Sequence, residues 1–144
     1  MKIAVGSDHA GFVLKQQLIE YLKESNYEVI NCGTDSTDSV DYPIFGEKVG
    51  RIVANNEADL GLCICGTGIG ISIAANKVRG IRAAVAHDFS SAKLAREHNN
   101  ANIICFGARL IGTEVAKDAL DIFLNAKFLG VRHLRRIEEI SEME

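Results

Sequence analysis

The 144-residue sequence contains no apolar run that approaches the roughly 20 residues needed to cross a bilayer, which excludes a membrane-spanning helix. It also lacks an apolar leader ending in a small-residue cleavage site, opening instead on the strand-like Met1-Lys2-Ile3-Ala4-Val5, so a cytoplasmic protein is expected. Basic charge is not in excess. A net charge of −3 and a pI near 5.8 argue against a nucleic-acid binder, and the one basic cluster, Arg132-His133-Leu134-Arg135-Arg136, is short. Tryptophan is absent and Asp8 belongs to no acidic cluster. Those two absences weigh against a small module that stacks a flavin on an aromatic loop or holds a metal in an acidic phosphorylation pocket. Cysteines number only four, and a domain of this size buries a sufficient core without disulfides, so reduced thiols are expected. Cys63 and Cys65 lack a second C-x-x-C or a His pair, which weighs against a zinc site.

What is present is a repeated strand-helix grammar in an ordinary globular composition, 47% hydrophobic and 24% charged. Lys2 to Gly6 reads as a buried strand, and Phe12 to Glu24 carries Leu14, Leu18 and Leu22 at helical spacing. Glu28 to Cys32 reads as a second strand, 33–42 as a polar loop, and the single proline, Pro43, as the first turn of a helix ending near Asn55. Leu60 to Cys65 and Ile81 to Ala86 are the third and fourth strands, with a helix over Ile71 to Lys77 between them. A helix over Ser90 to Glu97, capped by Asp88 or Ser90, leads to a fifth strand over Ile103 to Phe106. Thr113 caps a helix to about Ala126 with Val115, Ala119, Ile122 and Phe123 on one side, and a last helix covers about 131–143.

Nearly continuous apolar strands that alternate with helices predict one α/β domain over 1–144. The sheet is parallel, five-stranded and doubly wound (flavodoxin- or Rossmann-like), of order 2-1-3-4-5, with an extra C-terminal helix. In such a sheet ligands bind beyond the carboxyl ends of the strands where the winding reverses, between strands one and three. Strand one ends in Ser7-Asp8-His9-Ala10-Gly11 and strand three in Cys65-Gly66-Thr67-Gly68-Ile69-Gly70. An acid, an imidazole and a thiol are therefore expected in one cleft.

The glycine run supports three readings. It can be a thiol-assisted anion site, because glycine amides approach an anion closely and a helix N-terminus favours a thiolate over a thiol. It can be a dinucleotide-binding turn, with Asp88 about 20 residues on, although the spacing is G-x-G-x-G and the turn follows the third strand. Or it can be a tight turn that only packs helix on sheet.

The segments Gly6-Ser7-Asp8-His9-Ala10-Gly11, Asp41-Tyr42-Pro43, Cys65 through Lys77, Arg96-Glu97-His98-Asn99, Phe106-Gly107-Ala108-Arg109 and Gly130-Val131-Arg132-His133 resemble the ribose-5-phosphate isomerase B family, in order and over essentially the whole chain. The resemblance implies a homodimer with active sites at the subunit interface, interconverting ribose 5-phosphate and ribulose 5-phosphate with no metal or other cofactor. Pairing of dimers into tetramers is left open. One branch of the family carries a glutamate in the glycine turn. Here that stretch holds Ile69 and Cys65, so the chain resembles the thiol branch.

Isomerisation through an enediolate needs a base, oxyanion donors and a phosphate anchor. Cys65 is the expected base. Thr67 and the amides of Gly66, Gly68, Ile69 and Gly70 are expected to bind the enediolate oxygens, with Ser72 a weaker candidate. By resemblance, His98 with Asp8 opens the sugar ring. His98 lies at a helix C-terminus, where the dipole favours positive charge, although His98-Asn99-Asn100 reads equally as a polar helix stop. Asn99 and Tyr42 are candidate sugar contacts. Arg132 and Arg136, four residues apart on one helix face, can pinch a phosphate; His9 and Arg109 join them by resemblance. Leu134, Ile137 and Ile140 form an apolar stripe on that helix, for which a partner subunit is the expected cover.

Overall fold

The computed structural model describes residues 1–144. Its elements are β1 (Lys2–Ser7), α1 (Phe12–Glu24), β2 (Glu28–Asn31), α2 (Tyr42–Ala54), β3 (Leu60–Cys65), α3 (Ile69–Asn76), β4 (Ala83–Val85), α4 (Phe89–Asn99), β5 (Ile103–Gly107), α5 (Thr113–Asn125) and α6 (Arg132–Ser141). All strand pairs are parallel.

Strand alternation sorts the core into two layers. Ile3, Val5, Leu62, Ile64, Ile104 and Phe106 face α1, α4 and α5, whose Leu14, Leu18, Leu22, Ala92, Leu120 and Phe123 close that side. Ala4, Cys63, Cys65, Ile103 and Cys105 face α2 and α3, where Val49, Val53, Ile71 and Ala75 meet them. Cys65 thus projects to the α2/α3 side, beneath the start of α3. All four cysteines are free thiols. Burial pushes Cys32 up to about 11, and a hydrogen bond with Cys105 together with burial holds Cys63 well above the usual thiol range, which suits inert core groups.

The strand order is β2-β1-β3-β5-β4, which corrects the expected 2-1-3-4-5. Sequential strands are usually neighbours, and that tendency fails between β3 and β4. Every residue of β5 is buried, so it needs a neighbour on each edge, whereas β4 has three residues and a half-exposed pattern suited to an edge. Stepping back from β4 to β5 in a right-handed crossover also carries α4 to the α1/α5 side, where it packs on α5. The free edge of β4 is closed by Asn76, whose side-chain amide donates to the Ala83 carbonyl at 2.9 Å and accepts from its N–H at 2.8 Å.

One detail of the helix ends agrees with expectation, and two details of α5 differ. Asp88 does cap α4, accepting from the Ser91 N–H at 2.8 Å. Thr113 does not cap α5: Gly112 holds the cap position without a side-chain bond, and the Thr113 hydroxyl pairs with Gln17 at 3.0 Å. The buried face of α5 is Ala116, Ala119, Leu120, Phe123 and Leu124, leaving Val115 exposed.

Candidate active site

Because β5 rather than β4 lies beside β3, the end of β5 forms one wall of the glycine turn. The Ala108 N–H donates to the Cys65 carbonyl at 2.9 Å and the Arg109 N–H to the Gly66 carbonyl at 3.1 Å. On the other side the Asp8 N–H donates to the Ile64 carbonyl at 3.2 Å. The carboxyl ends of β1, β3 and β5 therefore converge on a cleft of about 490 Å³. Of the expected residues, Asp8, His9, Tyr42, Cys65, Gly66, Thr67, Ile69, Gly70 and Arg109 line it. Ala10 and Ile73, which lie in the same motifs but were not among the expected site residues, complete the lining. A larger hollow of about 710 Å³ lies along α1, but its lining from Gln16 to Asn31 brings together no thiol, imidazole or guanidinium. Chemistry, not size, distinguishes the cleft.

One backbone amide reaches the thiol. The Gly68 N–H donates to Cys65 Sγ at 3.1 Å, and Cys65 is 4% exposed. Gly68 reaches that position with φ of 77°, in the left-handed region that favours glycine. Because α3 starts at the next residue, its dipole also points its positive end at the sulfur. The arrangement can stabilise a thiolate at the floor of the cleft, or an oxyanion placed beside it. Thr67 Oγ1 accepts from the Ile69 N–H at 3.2 Å, which leaves its hydroxyl proton free to donate. Ser72 does not line the cleft; its hydroxyl donates back to the Ile69 carbonyl at 2.7 Å.

The flanking groups are held by local bonds. Asp8 is buried, and its Oδ1 accepts from the Gly11 N–H at 3.0 Å, tying the carboxylate to the turn that opens α1. His9 Nδ1 accepts from the Val40 N–H at 3.2 Å. Another histidine sits one strand out: His87, just after β4, accepts from the Gly107 N–H through Nε2 at 2.8 Å and so braces the end of β5. Sequence reasoning passed over His87. Its only signal was an imidazole following a strand end, as His9 follows β1.

Gly107 packs against Thr67 with no room for a side chain. A Cβ there would lie 2.6 Å from both the carbonyl carbon and oxygen of Thr67. Gly107→Ala is expected to cost about 1–3 kcal/mol and to lower Tm by roughly 4–10 °C. Because the displaced atoms are the Thr67 peptide, catalytic turnover should fall too. Thermal melts and turnover both equal to those of the unaltered protein would show that the contact relaxes freely.

The remaining expected residues lie elsewhere. α4 begins at the carboxyl end of β4 and runs back for eleven residues, about 16 Å at the usual helical rise, so Gly68 and His98 face opposite ends of the sheet. His98 stacks on His133, centroids 4.3 Å apart and rings 15° from parallel. Burial first, and then neighbouring His98, Arg132 and Arg136, lower the His133 imidazole below its usual range. Arg82 donates from Nε to the carbonyls of Asn99 and Asn100, each at 3.1 Å, bracing the turn that carries Asn99. On α6 the ion pair is Arg135 with Glu139 at 3.6 Å; none engages Arg132 or Arg136, and both are exposed. His98, Asn99, Arg132 and Arg136 therefore form a second, cationic group that does not meet Cys65 within one chain. Nowhere do three His, Cys, Asp or Glu side chains gather as for a metal ion. No helix is long and apolar enough to cross a membrane.

Comparison with known proteins points to one family. The model of the family described as Ribose/Galactose Isomerase matches residues 3–140. Ribose-5-phosphate isomerase B of Escherichia coli K12 is 48% identical over 143 residues, covering 99% of this chain and 96% of that protein. The solved ribose-5-phosphate isomerase B of Clostridium thermocellum superposes with a TM-score of 0.99 at 52% identity, over 99% of this chain and 97% of that one. That of Thermotoga maritima superposes with a TM-score of 0.96 at 52% identity, over 98% and 97%. With a family model spanning nearly the whole sequence and a fold that superposes on its solved members, the chain belongs to the ribose/galactose isomerase family and is a sugar phosphate isomerase.

Proposed function

We propose that the protein interconverts D-ribose 5-phosphate and D-ribulose 5-phosphate in the cytoplasm, as a homodimer in which Cys65 is the base. The observation that carries this reading is the Gly68 N–H on Cys65 Sγ at 3.1 Å, in a cleft that also holds Asp8, His9, Thr67 and Arg109.

The furanose opens first. Asp8 takes the proton of the anomeric hydroxyl while His98 of the partner subunit protonates the ring oxygen, giving the open aldehyde. The Cys65 thiolate then removes the proton from C2, and the electron pair moves onto the C1 oxygen. The amides from Gly66 to Gly70 hold the resulting enediolate, Asn99 of the partner subunit contacts its hydroxyls, and Thr67 carries a proton from O2 to O1. Return of the proton from the Cys65 thiol to C1 leaves the ketone at C2. Tyr42 borders the sugar. His9 and Arg109 meet the phosphate from one chain, and Arg132 and Arg136 of the partner subunit close on it from the other. Ser72 has its hydroxyl engaged within α3 and takes at most a supporting place behind the turn.

The two-subunit arrangement is supported by the separation of the two groups within one chain and by the apolar surface around α6. There Val131 is 90% exposed, and Leu134 and Ile140 remain nearly half exposed while Ile137 packs inward. On this reading residues 1–144 form one domain whose last helix, about 131–143, is covered by the second copy, and no metal or organic cofactor takes part.

The test is conversion of ribose 5-phosphate with a chelator present, with allose 6-phosphate and galactose 6-phosphate in parallel. A kcat/KM for the pentose well above both hexoses is the expected result. Preference for a hexose overturns the substrate while retaining the chemistry, and loss of all turnover under chelator overturns the metal-free mechanism.

A further inference from the structure

The largest fully buried side chains are aliphatic or aromatic with one exception, Lys15, which is 1% exposed. A methionine would fill this space without the cost of removing an ammonium from water, so the charge has a specific task. Burial lowers the Lys15 ammonium below its usual range, and Asp35 opposes that shift. Nζ donates to Asn31 Oδ1 at 2.7 Å and lies 3.6 Å from Asp35 Oδ1, over the ring of Phe12 at 5.7 Å.

Those partners shape the start of the loop between β2 and α2. Asn31 Oδ1 also accepts from the Gly33 N–H at 2.9 Å, and Asn31 Nδ2 donates to Asp35 at 3.2 Å. The turn so formed pairs with the end of β1: the Ser7 N–H donates to the Gly33 carbonyl and the Thr34 N–H to the Ser7 carbonyl, both at 2.7 Å. Six residues further on, the same loop returns to β1 and its Val40 N–H donates to His9 Nδ1. An amide N–H can only donate, so His9 Nδ1 must be the bare nitrogen. The proton then sits on Nε2, where it can donate to an anionic oxygen.

We propose that Lys15 is a positioning residue for the candidate site: with Asn31 and Asp35 it locks the 33–40 loop against β1, and the loop holds His9 in the Nε2–H tautomer that receives the substrate phosphate. The inference rests on the isomerase reading for the phosphate, but its effect on His9 is measured without substrate.

Nitrogen-15 NMR of the four histidines above pH 8, with His9 assigned from a His9→Asn sample, reads the tautomer directly. The unaltered dimer is expected to show one neutral His9 form with Nδ1 unprotonated. Lys15→Met and Asp35→Ala should each convert it to a mixture. KM for ribose 5-phosphate should rise about tenfold in Lys15→Met, and less in Asp35→Ala, with kcat within twofold, as for loss of uniform binding. Asp35 is 81% exposed, so its replacement leaves the core intact and carries the test alone if Lys15→Met does not fold. An unchanged His9 spectrum in a folded variant overturns the inference, whether or not KM moves. A shifted spectrum in a protein that turns over no sugar phosphate supports the loop lock and overturns the isomerase reading instead.

Discussion

Cys65→Ala should lower kcat for ribose 5-phosphate about a thousandfold, the middle of the range for removing a positioned general base. The substitution removes a sulfur that accepts the Gly68 N–H at 3.1 Å at the cleft floor, and nothing else in the lining can replace it. On the proposed assignment Asp8 serves ring opening and His9 the phosphate, and Cys63, two residues back on the same face of β3, is fully buried behind the turn. Losing the sulfur leaves the Gly68 N–H without its acceptor, a cost of about 1–3 kcal/mol, so Tm should fall by several degrees while the protein stays folded. On the proposed assignment the phosphate is held by other residues, so competition by inorganic phosphate should be unchanged. Cys65→Ser keeps the geometry but offers an alcohol, a far weaker base near neutral pH, and should fall close to the alanine variant. A rate within threefold of the unaltered enzyme, in a folded Cys65→Ala protein, would remove the thiol from the mechanism.

Much of this site was legible before the fold was known, for a definite reason. Helices such as α1, with Leu14, Leu18 and Leu22 in register, and strands such as β3, apolar throughout, announce themselves by local periodicity. The placement of functional groups at strand ends then follows from the winding rule. Three features depend on tertiary context and escaped. The inward return of β5 requires comparing how two strands are buried; Ile81 to Ala86 reads apolar enough for a central strand, yet only Ala83–Val85 pairs, at the edge. Lys15 stands next to Leu14 in a helix pattern that takes a lysine for a solvated residue, and only the Asn31–Asp35 turn across from it explains its burial. The direction of α4, which carries His98 away from Cys65, becomes visible only once the helix is laid against the sheet.

That separation yields the second large effect. Two inactive proteins, Cys65→Ala and a double variant Arg132→Ala with His98→Asn, should regain about a quarter of full activity when unfolded together and refolded as an equal mixture. If each site takes Cys65 from one chain and His98 with Arg132 from the other, a mixed dimer holds one site in which all defects are combined and one in which none is present. Random pairing makes half the dimers mixed, and half of their sites are intact, hence the quarter. A site built within one chain gives a different result, because every site then carries one defect or the other and mixing restores nothing. Geometry favours recovery: α4 places His98 about 13 Å back along the sheet from the end where Cys65 lies, and His98 stacks on His133 of α6 rather than turning toward the cleft. The helix that presents Arg132 also exposes Val131, Leu134 and Ile140, the apolar surface a second copy would cover. Absence of recovery in refolded, dimeric mixtures would place Cys65 and the cationic group of α4 and α6 in one chain's site and overturn the sharing of sites between subunits.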